Sequence, residues 1–279
     1  MQTADKLLIK VLFAVLCVLA ALSLATMLVC VAAACLSDRA LYRQPMQSAD
    51  YIATVRASLN DELETVSLIT ELPIEKLMAA VTDEQLMAMS LEYADNVCDY
   101  VTGQTGTLSP VTLPQGAFAE AVADSPEAEL LTEELHGVLR AAVTPVGEGH
   151  LLGYVRTVIC RVAPLVRAVG KAWPFVVAFF VLCLGGACAL CYRRAARLYA
   201  LSGAVWTVSA LAAVALWVFG SHPWMQRLVL GESALRVWLV DMYDTVMGTS
   251  TTVASVLFAL CSVWLIASVV WCVHQKESA

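Results

Sequence analysis

Long uncharged runs alternate along this chain with stretches whose apolar positions recur every three or four residues. Four runs stand out: 7–35, 172–192, 198–219 and 251–273, with Lys10 as their single charged residue. An α-helix rises about 1.5 Å per residue, so about 20 residues cross a ~30 Å hydrocarbon layer. Each run therefore predicts one transmembrane helix. Trp173, Trp217, Trp264 and Trp271 stand toward run ends, where amphipathic rings favour the headgroup layer. The first run exceeds the short apolar core of a secretory signal, so it is expected to remain as an anchor.

Residues 36–150 hold no run long enough to span, and their pattern is helical. Tyr51, Val55, Leu59, Leu63 and Val66 fall on one helix face. "ELPIEKLMAAV" predicts a short helix with Pro73 near its first turn, where a missing N–H does no harm. In "TDEQLMAMSLEYADNVCDYVTG", Thr82 and Gln85 fit a capping box and Gly103 can end the helix. Leu86, Met89, Tyr93, Val97, Tyr100 and Val101 form its stripe. "GQTGTLSPVTLPQG" is an irregular loop. A further helix starts at Ser125 and Pro126, with Leu131, Leu135, Val138 and Ala142 facing inward.

Residues 151–171 predict a helix feeding the second run, kinked or broken by Pro164 and Pro174. Residues 224–247 are amphipathic: Leu228, Leu235, Trp238, Leu239, Met242 and Val246 face one way. Arg227, Glu232, Arg236, Asp241 and Asp244 occupy much of the rest. Too short to cross and return, this segment is expected on the membrane surface or under the polar domain.

Composition agrees with the pattern. The 279 residues are 59% hydrophobic and 15% charged, where soluble proteins carry about a quarter charged residues. Net charge is −7, and the 36–171 segment is acidic. That excludes a nucleic-acid partner, which needs a basic footprint. Eight of the ten cysteines lie in or beside apolar runs and act there as small hydrophobes. Cys98 and Cys160 alone lie in the polar part, and could pair in an oxidising compartment.

Arg193, Arg194 and Arg197 sit in the short link between runs two and three. Short loops rich in Lys and Arg stay cytoplasmic, so these three arginines set the topology. Both termini then lie inside, with 36–171 and 220–250 outside. Lys6, Lys10 and Lys276 agree; Arg156, Arg161, Arg167 and Lys171, ahead of run two, do not.

Little chemistry is legible. Glu133 and His136 have the i, i+3 spacing of di-iron bundles, which need two copies and two more glutamates. His150 and His222 lack spaced partners, and Asp241 with Asp244 cannot supply calcium's six to eight oxygens. Cys188 and Cys191 read CxxC at the end of a span, where packing explains them. No phosphate loop, nucleophile elbow or zinc motif is found. No catalytic residue, cofactor or metal site is assigned, and a non-enzymatic protein is expected. Uncharged spans argue for an anchor rather than an ion-coupled conduit. Gly185 and Gly186 suit a close helix approach.

The stretch from Tyr42 through Tyr51, Val55, Leu59-Asn60, Glu62-Leu63, Leu72-Pro73 and Thr82-Asp83 resembles the start of an uncharacterised family of bacterial four-span integral membrane proteins. The resemblance implies an extracytoplasmic helical domain between spans one and two. The threading is also similar to permeases of the cell-division and macrolide-export kind. "RRAARLYALSGA" keeps their basic start and Gly203-Ala204 but lacks their acidic residue.

The expected protein is an all-α membrane protein of four transmembrane helices, in the bacterial cytoplasmic membrane. Its parts are 1–35, N-terminus and helix 1; 36–171, extracytoplasmic helical domain; 172–219, transmembrane hairpin; 220–250, extracytoplasmic amphipathic helix; and 251–279, helix 4 and tail. The expected function is a membrane-anchored binding or assembly module, partnered by the bilayer and by another envelope protein or itself. The alternative is a permease-like subunit of an ATP-driven envelope complex.

Overall fold

A computed structural model describes residues 2–114, 116–124, 128–144, 152–191, 195–222 and 233–277. Every element among the described residues is helical. Four helices are long and apolar enough to cross a membrane: Leu8–Cys35, Ile159–Cys191, Ala196–Ser221 and Ala234–His274. The chain is therefore an all-helical, multi-pass membrane protein.

The helices in chain order are α1 (Gln2–Cys35), α2 (Arg39–Met46), α3 (Ala49–Thr70), α4 (Ile74–Ala79) and α5 (Asp83–Thr102). They continue with α6 (Ala119–Val122), α7 (Ala128–Val143), α8 (Leu152–Cys191), α9 (Ala195–Ser221) and α10 (Ser233–Glu277). Two expectations are narrowed or corrected here. Of the kink or break expected at Pro164 and Pro174, the break does not occur, and α8 runs on for 40 residues. Pro174 has no N–H to give the Gly170 carbonyl, yet the helical bonds on either side carry the element through. The amphipathic segment is not a separate helix either. Its described part, from Ser233, is continuous with the fourth span in a 45-residue helix. No Pro and only Gly248 interrupts α10, so nothing in the sequence stops it at the polar-to-apolar change.

Contacts divide the chain into two compact units. The span unit comprises Met1–Cys35, Ala168–His222 and Val246–Ala279. Its core gathers Leu24, Ala187, Leu201 and Val205 with Cys17, Cys191 and Cys261, so three thiols do pack as apolar groups. Two polar pairs join α9 to α10: Ser202 Oγ and Ser268 Oγ lie 2.7 Å apart, and Trp206 Nε1 donates to Ser262 Oγ at 2.9 Å. In hydrocarbon such bonds have no water to compete with them. Gly186 faces Leu16 of α1, where an added Cβ would lie 3.4 Å from Leu16 Cδ1, whereas Gly185 faces open space. The close approach is Gly186's alone.

The helical unit comprises Leu36–Arg167 and Pro223–Thr245. Thr82 caps α5 in a full capping box with Gln85, and Gly103 closes it at φ 83. Ser48 caps α3, accepting from Tyr51 N. The predicted α3 face, Tyr51 to Val66, is buried throughout. The α5 stripe is buried at Leu86, Met89, Tyr93, Val97 and Val101, while Tyr100 is only partly covered. On α7 the face is turned: Leu135 is buried as expected, but Leu139 and Val143 join it rather than Leu131, Val138 and Ala142. Ser125 and Pro126, the expected cap, lie outside the described residues.

Candidate functional site

The helical unit is assembled around Trp238. Its side chain, 1% exposed, comes from the head of α10. The indole Nε1 donates to the Tyr42 carbonyl at 3.1 Å. The Tyr42 and Tyr93 rings stand 6.4 and 6.1 Å from it, tilted. The segment was expected on the membrane surface or under the polar domain; its described head instead belongs to the helical unit and buries Leu235 and Trp238 in it. Sequence reading did not single out α2, although Asp38 caps it by accepting from Ala40 N and Leu41, Tyr42 and Met46 are buried. The signal "SDRALYRQPM" was there in the cap.

Charges on the unit clamp helices together. Arg39 pairs with Asp99 and lies 3.7 Å from Asp95, and Arg43 also stands 3.7 Å from Asp95. Arg56 of α3 pairs with Asp83 at the start of α5 and donates to the Val81 carbonyl at 2.9 Å. Burial, together with the nearby Cys98 sulfur, pushes the Tyr42 phenol above its ordinary value. Burial likewise pushes the Cys98 thiol up, against the pull of Arg39. Both groups are thereby kept neutral.

Arg167 accounts for one of the cations ahead of the second span. Its guanidinium donates to the Tyr100 carbonyl and, at 3.2 Å from Nε, to the Val101 carbonyl. It also lies over the Tyr100 ring, 5.3 Å from the centroid. These are last-turn carbonyls of α5, the negative end of that helix. The residue's charge serves the unit's own architecture.

Among the described residues, the unit's most exposed large apolar side chains are Leu68 and Ile69, at 79% and 76%. They end α3, where Glu71 adopts a left-handed conformation, φ 59. That conformation costs a non-glycine residue about 1 kcal/mol. The Ser67 hydroxyl donates to the Leu72 carbonyl at 2.6 Å and fixes the corner. Folding thus leaves two adjacent aliphatic side chains uncovered by the rest of the chain on a braced turn. This corner is the unit's best candidate for a contact surface.

The other residues singled out by sequence are not brought together. His136 Nε2 lies 3.1 Å from the Ala117 carbonyl and its ring neighbours Phe118, while Glu133 is exposed. Among the described residues no three His, Cys, Asp or Glu side chains are grouped to hold a metal ion. Cys98 and Cys160 are both free thiols; Cys98 is buried, and Cys160 is exposed, accepting from the Tyr100 hydroxyl at 3.3 Å. His150, Arg193 and Arg194 lie outside the described residues. Arg197 is described: it donates to the Leu190 carbonyl at 3.1 Å in the last turn of α8 and stacks on Phe13 of α1, 5.9 Å from the centroid. Gly203 and Ala204 lie well inside α9.

In the span unit, α1 and α8 are also parted by a cleft of about 310 Å³. Met27, Cys30, Val31 and Ala34 line it from α1, at the spacing of one helix face. Val169, Gly170, Trp173 and Val177 line it from α8.

No family model, curated protein or solved structure matches this chain.

Proposed function

We propose that the protein is a membrane-anchored binding or assembly module of the bacterial cell envelope. It acts non-enzymatically through its helical unit, with the four spans as anchor. The observation that carries this reading is the braced corner at Leu68 and Ile69. Its partner is another envelope protein or a second copy of the chain. The permease-like alternative requires a coupling loop, and "RLYALSGA" falls inside α9 instead.

A photo-crosslinking residue placed at Leu68 in living cells tests the proposal. We expect one discrete adduct, at least about fivefold weaker when Ile69→Glu is added. Exposed side chains change stability by about 0.5 kcal/mol or less, so the variant should melt as the wild type does. A smear without a discrete adduct, or an adduct indifferent to Ile69→Glu, would overturn the reading. A stoichiometric ATPase crosslinked instead would establish the permease-like alternative.

In the proposed topology both termini are cytoplasmic, and 36–171 and 220–250 are outside. Cys160 reports on this. We expect a membrane-impermeant maleimide to label it in intact cells, and Cys160→Ser to remove that label. Cys98, 2% exposed with its thiol held neutral, should stay unlabelled until the protein is unfolded. Labelling of Cys160 only after permeabilisation would invert the topology.

A further inference from the structure

We infer that the corner at Leu68 and Ile69 docks on a different protein, one that offers an apolar recess ringed by lysine and arginine. The inference rests on the proposed reading of this corner as a contact surface and names what covers it. Helical register places charge beside the two aliphatics. Positions seven apart on an α-helix share a face, about 10 Å from one another, and positions three or four apart are direct neighbours on it. Asp61 and Glu62 stand seven residues before Leu68 and Ile69, and Glu64 stands four before Leu68. All three acids are exposed. The buried positions of this part of α3, Leu59, Leu63 and Val66, are turned away from them. The three acids therefore share an uncovered face with Leu68 and Ile69. Glu71, at the corner, and Glu75, in the first turn of α4, are exposed as well.

Charge then selects the occupant. A Lys or Arg three or four residues away would balance an acid on a helix, and none stands at those positions around Asp61, Glu62 or Glu64. Among the described residues none of the three is in an ion pair, whereas Asp83, Asp95 and Asp99 are held by Arg56, Arg39 and Arg43. Between positions 57 and 80, Lys76 is the one cation against five acids. An apolar centre with a polar border is the pattern of a protein–protein contact, and a border of one sign is met by the opposite sign across it. A second copy does not supply that sign. The helical unit carries 22 Asp and Glu against 10 Lys and Arg, a net charge of −12. Four of those ten cations, Arg39, Arg43, Arg56 and Arg167, are already engaged inside the unit. An anionic bilayer surface repels the same acids. A partner protein with a basic rim satisfies the aliphatics and the acids together.

Photo-crosslinking from position 68 of the full chain in living cells, followed by sequencing of the crosslinked peptide, tests this. We expect that peptide to belong to a different protein and to carry Lys or Arg within about four residues of the crosslink. Asp61→Lys combined with Glu64→Lys should weaken the adduct at least about tenfold, because like charges then face each other. Asp61→Glu combined with Glu64→Asp keeps the charges and should leave the adduct within about twofold. Both positions are exposed, so the melting temperature should hold in either variant. Should the lysine pair fold poorly, Asp61→Asn with Glu64→Gln removes the charges without reversing them and should weaken the adduct about threefold. An adduct with a second copy, an adduct indifferent to the lysine pair, or one weakened as much by the charge-keeping pair would overturn the inference and leave the corner a contact surface. No discrete adduct, or crosslinks to lipid alone, would overturn both.

Discussion

Trp238→Ala is expected to destabilise the helical unit by about 3–5 kcal/mol, the largest single effect in the molecule. Removing a buried indole forfeits its transfer free energy and leaves a cavity that the surrounding helices fill only in part. The loss is compounded here. The Tyr42 carbonyl loses the indole N–H that it accepts, and such a hydrogen bond contributes about 0.5–1.5 kcal/mol. Tyr42 and Tyr93 lose the ring they both lean on. A small domain is stable by about 5–15 kcal/mol, so most of the unit's margin goes at once. Urea unfolding followed by tyrosine and tryptophan fluorescence, with Trp238→Phe as the conservative partner, measures it. Phenylalanine keeps most of the volume and should cost about 1–2 kcal/mol less than alanine does. A melting profile unchanged by Trp238→Ala would mean that the head of α10 is not part of this core.

The residues show why some of this was readable in advance and some was not. Local signals survived intact: the Thr82–Gln85 box, the Gly103 stop and the α3 face depend on neighbours three or four residues away, and folding left them alone. Apolar runs survived for the same reason, since lipid imposes one length on any helix that crosses it. Failures came where distant partners decide. The α7 face turned because what covers Leu139 and Val143 belongs to other helices. Trp238 looked like one apolar position on an amphipathic stripe; its role depends on Tyr42, 196 residues earlier. Helix α10 ran past its expected end because a change from polar to apolar side chains carries no stop signal for the backbone. The candidate corner was half legible. The leucine-proline step at Leu72-Pro73 could be read as a helix boundary, but the exposure of Leu68 and Ile69 could not. On an α3 helix with its buried face already satisfied, two further aliphatics have no place to go but outward.

Arg167→Met tests the other long-range device, and we expect a loss of about 2–3 kcal/mol in the helical unit. Bonds from a charged donor contribute about 1.5–3 kcal/mol, and Arg167 makes them to two carbonyls while its guanidinium lies on Tyr100. Methionine keeps the length and apolar stem, so packing is largely preserved and the charge is what goes. The same side chain passes across Gly103: a Cβ built there would stand 2.9 Å from Arg167 Nε. Gly103→Ala therefore carries two costs, about 1–2 kcal/mol for the left-handed conformation and a further one for pushing the guanidinium off its carbonyls. The two substitutions should not add. In a double-mutant cycle, Arg167→Met should relieve the second cost of Gly103→Ala, leaving the conformational cost alone and a coupling of about 1 kcal/mol. Strict additivity would show that Arg167 is not gripping the end of α5. The coupling would show that the arginine before the second span holds two helices of the unit together, a demand that folding makes of it independently of which side of the membrane it faces.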